Sequence, residues 1–181
     1  MSDRKSSRLI FPGLIVVTLI AASAVYFLRP SDSVASPALE KAQSTRTLQS
    51  LAELDDKQKA ALEKVAGGVS AAQLLAALDD PGSLPEKSVV RQAAMFCAAR
   101  YLGRETAKGR PLDAVARFHL GNGARVERLN WAADLSSKGL KQSMGLMVNY
   151  LYDLKRLDKH RSLLAQSKIP VSSEIESLCK G

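Results

Sequence analysis

The sequence predicts an α+β fold: one N-terminal transmembrane helix, then a helix-rich body with a few strands late in the chain. Three observations predict it. An uncharged, mostly apolar run of twenty residues fills Leu9–Leu28. Capping residues and apolar positions at three- and four-residue spacing recur through the middle of the chain. Two later runs, RVERLN and GLMVNYLY, have the alternation or the length of strands.

The first run, LIFPGLIVVTLIAASAVYFL, would span roughly 30 Å as a helix, the thickness of a bilayer's hydrocarbon core. Pro12 falls in its first turn, where a missing amide hydrogen costs little. Tyr26 and Phe27 stand near its far end, where aromatic rings suit the interface. Arg4, Lys5 and Arg8 before it also suit a secretory signal, with Ser33-Val34-Ala35 as a cleavage site. The run exceeds the 7–15 apolar residues usual in such signals, which favours an uncleaved anchor. The basic flank places the N-terminus in the cytoplasm, with a single pass and membrane lipid as a partner. The expected organisation is a basic tail over 1–8, the span over 9–28, a linker over 29–49 rich in Pro and Ser, and a body over 50–181.

In the body, DDKQKAALEKVAGG opens with acids in the first turn and stops at Gly67-Gly68. Ser70 caps the next helix, which Pro81-Gly82 ends. A longer helix is expected over 86–106, with Val90, Ala94, Cys97 and Tyr101 on one stripe. Asp113 caps DAVARFHL, and Gly121-Asn122-Gly123 stops it with a geometry suited to close approach of a ligand. A strand over RVERLNWAAD, a short helix over SSKGLKQSMG, a strand over GLMVNYLY and short helices over 156–166 and 172–179 complete the order.

The chain carries a formal net charge of +8, but its basic residues are scattered. The densest group, Lys155, Arg156, Lys159, His160 and Arg161, lacks interleaved aromatics, so it reads as a solvated helix face and no nucleic-acid partner is expected. Cys97 and Cys179 make no disulfide framework, no metal-ligand spacing occurs, and no cofactor is implied.

Three long strings carry a specific resemblance: FHLGNGA (118–124), LNWAADLSSKG (129–139) and QSMGLMVNYLY (142–152). They resemble the malonyl-CoA decarboxylase family, and weaker likeness extends upstream through AAMFCAARYL and LLAALDDP. The resemblance covers 50–181 and implies the C-terminal part of a catalytic domain similar to the acetyltransferase (GNAT-like) acyl-CoA fold. It implies malonyl-CoA as ligand and release of carbon dioxide to give acetyl-CoA. It implies a catalytic role for His119, which matches the family's histidine and would protonate the carbon that loses carbon dioxide. That chemistry needs a proton donor for the enolate carbon and fixed donors for its oxygen. Asn122, Asn130, Ser143, Asn149 and Tyr152 are the candidate binding or orienting groups.

The resemblance is incomplete. The family's serine motif, roughly SPIPGF, would align near 44–54, where this sequence reads STRTLQSLAEL. Two expectations follow: a membrane-anchored decarboxylase, or a non-catalytic accessory or scaffold subunit on the same fold. In the second, a partner protein or self-association would cover exposed sheet edges.

Overall fold

The computed structural model describes residues 14–20, 53–78 and 80–180. The body opens with helix α1 (Asp56–Ala66), fixed at its start by a capping box: Asp55 Oδ1 accepts from Gln58 N, and Gln58 Oε1 accepts from Asp55 N. It ends at Gly67 in a left-handed conformation, φ 73°. Helix α2 (Ala71–Ala77) follows, with Ser70 Oγ accepting from Gln73 N. A 3₁₀ turn at Pro81–Ser83 leads into helix α3 (Val89–Gly103).

Helix α3 is shorter than the 86–106 expected and is buried well beyond one stripe. Val90, Ala93, Ala94, Phe96, Cys97, Ala98, Ala99, Tyr101 and Leu102 all lie in the core. A helix apolar on most faces belongs at the centre of a domain. Gly103 closes it against Ile175 and Val171, each of which an added Cβ would approach to 3.2 Å. Cys97 is a free thiol, pushed by burial up to about 12, with Glu105 adding to the rise. Cys179 is also free and buried.

A two-stranded hairpin the sequence did not announce comes next: β2 (Thr106–Ala107) against β3 (Arg110–Pro111). Its two-residue turn, Lys108-Gly109, has φ of 51° and 73°. Positive φ at both central residues is what tight hairpin turns require. Helix α4 (Ala114–Gly121) starts at Asp113, whose Oδ1 accepts from Ala116 N at 2.6 Å. Then come β4 (Arg125–Asn130), helix α5 (Ser137–Ser143), β5 (Met147–Asp153), helix α6 (Leu157–Ala165) and helix α7 (Ser173–Leu178).

The expected transmembrane helix is corrected at its centre. Leu14–Ile20 is a strand, β1, antiparallel to β5 with Val17 opposite Tyr150. The segment LIVVTLI is rich in β-branched residues, which favour extended backbone. A short apolar run is compatible with either helix or strand, and periodicity alone does not separate the two. The rest of the expected span, 9–13 and 21–28, and the linker over 29–49 lie outside the described residues. Among those described, no helix is long and apolar enough to cross a membrane.

The sheet order is β1-β5-β4, with β5 paired on both sides. A shift of register between Val126 and Arg128 marks a bulge in β4. The outer edge of β4 is covered: Val126 N donates to Pro170 O at 3.0 Å, and Ser172 N donates to Val126 O at 2.9 Å. One sheet face, with Val126, Leu129, Val148 and Tyr150, is buried against the helices.

Candidate functional site

Helix α4 and strand β5 build the site. Capping by Asp113 fixes the start of α4, and the helix then places His119 in its last turn, only 7 % exposed. On β5 alternate residues share a face, so Tyr150 and Tyr152 point the same way. His119 Nδ1 lies 2.7 Å from the Tyr152 hydroxyl. The ring of Tyr150 stacks on His119, with centroids 4.6 Å apart and planes 13° from parallel. Phe118, 64 % exposed, meets the imidazole edge-on at 5.1 Å.

Burial holds the His119 pKa below its ordinary 6.5, and the nearby Asp113 carboxylate works in the opposite direction. Desolvation raises the Tyr152 hydroxyl, so it stays a phenol. Tyr150 is raised as well, by burial first and then by Asp113. Its hydroxyl is fully buried and has no hydrogen-bond partner among the described residues.

Of the residues singled out from sequence, Tyr152 meets His119, Asn130 and Asn149 pair with each other away from it, and Asn122 and Ser143 bond only within their own helices or caps. Asn122 ends α4, its Nδ2 donating to Phe118 O at 3.0 Å. Ser143 is buried and donates to Gly139 O within its own helix. Asn130 Nδ2 donates to Asn149 Oδ1 at 2.9 Å, a diagonal cross-strand pair. Asn149 precedes Tyr150 on β5, so that amide pair occupies the opposite sheet face from the histidine.

Two further expectations change. Gly123, φ 89°, approaches protein rather than ligand: an added Cβ would lie 2.9 Å from Leu157 O. His160, read as part of a solvated face, is buried, its Nδ1 2.9 Å from Gly123 O. The cations beside it do reach solvent, Arg156 pairing with Asp153 and Arg161 with Asp158.

Sequence reasoning missed Tyr150 as a neighbour of His119. The signal was present in its two-residue spacing from Tyr152 on a strand. It also assigned Asp113 only the cap, not the charge felt by His119. Among the described residues no group of three or more His, Cys, Asp or Glu is placed to hold a metal. The arrangement is a shielded imidazole, oriented through Nδ1 and free to present Nε2: a single-site proton donor or acceptor.

Comparison with known proteins bears on what that donor serves. The model of the malonyl-CoA decarboxylase C-terminal domain matches residues 35–181. Rat mitochondrial malonyl-CoA decarboxylase is 47 % identical over 85 residues, which cover 46 % of this chain and 17 % of the rat protein. The crystal structure of malonyl-CoA decarboxylase from Cupriavidus metallidurans superposes with a TM-score of 0.63 at 43 % identity, covering 72 % of this chain and 33 % of that one. The Agrobacterium vitis structure gives 0.50 at 45 % identity, covering 60 % and 28 %. The matched region is thus a minor part of each relative's length.

Proposed function

The chain belongs to the malonyl-CoA decarboxylase C-terminal domain family, and from that premise we propose that it delivers the proton in decarboxylation of malonyl-CoA. The observation carrying this reading is the His119 Nδ1–Tyr152 hydroxyl contact on a ring stacked against Tyr150. Breaking the bond to the carboxylate expels carbon dioxide and leaves its electron pair on a thioester enolate. Protonation of the enolate carbon gives acetyl-CoA. The whole reaction consumes one proton, so the donor starts as an imidazolium and ends neutral.

In this scheme Nδ1–H donates to the Tyr152 oxygen in both states, and Nε2–H is transferred. Tyr152 is a positioning residue. Burial makes the imidazolium a stronger acid, while the Asp113 carboxylate works in the opposite direction and favours the protonated ring.

Full-length protein incubated with carboxyl-labelled malonyl-CoA is expected to release labelled carbon dioxide. His119→Ala should lower the rate by about 10²–10⁴-fold, the usual contribution of a general acid. Tyr152→Phe should lower kcat more than it raises KM. No release above buffer, or a His119→Ala variant as fast as the parent, sinks the proposal.

A second reading, a malonyl-CoA-binding accessory module without turnover, is favoured by the sequence STRTLQSLAEL standing where the family's serine motif would align. Calorimetric binding of malonyl-CoA with no carbon dioxide release would select it.

A further inference from the structure

Away from His119, the β2–β3 hairpin, the exposed side of α4 and the end of α6 enclose a cleft of about 580 Å³. Lys108, Arg110, Arg117 and Arg161 line it, and no acidic residue does. Lys108 and Arg110 have no ion-pair partner among the described residues. Arg161 does, its Nη1 lying 2.7 Å from Asp158 Oδ1, but the Asp158 side chain is 96 % exposed and so weakly held.

The cleft is built rather than incidental. Arg117 is braced by Nη1, which donates to Pro111 O at 3.0 Å and Leu112 O at 2.9 Å. That leaves Nε and Nη2 of its planar fork for a ligand. The two walls touch: an added Cβ on Gly109 would lie 2.6 Å from Ser167 Oγ. The tight turn therefore sits against Ser167, two residues beyond α6, and the Ser167 hydroxyl adds a neutral donor.

The competing explanation is that these cations only answer the carbonyl ends of α4 and α6, which face this region. Each helix end carries about half a negative charge. Two such ends and Asp158 together offset about two of the four positive charges, so about two remain in excess in the concavity.

We propose that this cleft binds a ligand carrying two or more phosphate groups, in which Arg forks and Lys ammonium groups share the anionic oxygens. Its source is either a free diphosphate or a phosphorylated lipid headgroup. The inference stands apart from decarboxylation, because its readout is anion binding.

The test uses the full chain, inorganic pyrophosphate in a calorimeter, and vesicles of phosphatidylcholine with or without a bisphosphorylated phosphoinositide. Pyrophosphate should bind at low ionic strength and weaken as salt approaches about 0.15 M. The double variant Lys108→Gln/Arg110→Gln changes two exposed side chains and should weaken binding by at least about tenfold. Lys155→Gln/Lys159→Gln removes the same charge outside the cleft and should change it less than about twofold. Vesicle binding that needs the phosphoinositide and the cleft cations, without pyrophosphate binding, would identify the lipid source and also support the site. Equal weakening by both double variants, or no binding to either probe, overturns it.

Discussion

The rings of Tyr150 and His119 lie nearly parallel, 4.6 Å apart, and the tyrosine's hydroxyl is buried without a hydrogen-bond partner among the described residues. A ring contact and an unsatisfied donor thus belong to one side chain, and substitution separates them. Tyr150→Phe keeps the stack and removes the hydroxyl, so stability should rise by roughly 1–3 kcal/mol, the usual cost of such a group. Tyr150→Ala should lower it by roughly 3–5 kcal/mol. Urea unfolding of the two variants checks both signs.

His119 gives stability a pH dependence of known sign. Its folded-state pKa lies below the ordinary 6.5, so in the acid range the unfolded chain binds the extra proton. Its contribution is present above pH 6.5 and is lost as pH falls from there through the folded value. A urea midpoint followed from pH 7.5 to 5 should decline, and His119→Gln should decline less. Equal slopes would remove the assignment.

Asp113 separates capping from charge. Asp113→Asn retains an oxygen for Ala116 N, so the stability cost should stay below about 1 kcal/mol. It removes the charge that favours the imidazolium, so the His119 midpoint, read by NMR, should move lower still. A midpoint that stays or rises would show that the carboxylate does not act on the ring.

Gly123 and Gly67 make a matched pair. Both have positive φ, but a Cβ meets Leu157 backbone at the first and nothing within 4 Å at the second. Gly123→Ala should cost roughly 2–5 kcal/mol, combining backbone strain with overpacking. Gly67→Ala should cost only about 1 kcal/mol, the backbone part alone. Thermal unfolding distinguishes them.

What the sequence revealed follows from locality. The caps at Asp55, Ser70, Asp113 and Ser172 act within three residues, so their helices were legible, as was β5 from its short apolar run. The strand at Leu14–Ile20 was not, because its pairing partner lies at the other end of the chain. The Lys108-Gly109 hairpin lacked the usual Asn-Gly signal. Within the site, His119 was found through family strings and Tyr152 was named beside it. The separation of Asn130 and Asn149 onto the far sheet face depended on a register that spacing alone could not supply.

The double pairing of β5 has a consequence in time as well as in space. Its β4 partner arrives after a short excursion, whereas pairing with β1 must close the long stretch between Ile20 and Met147 into a loop. Such closure is entropically costly and slow to form. Amides of β5 directed toward β4 should therefore gain protection from hydrogen exchange before those directed toward β1. The tyrosines under His119 would then become fully clamped only at the last stage of folding. A lesion in the first strand would register as a loosened ring stack at the far end of the sequence.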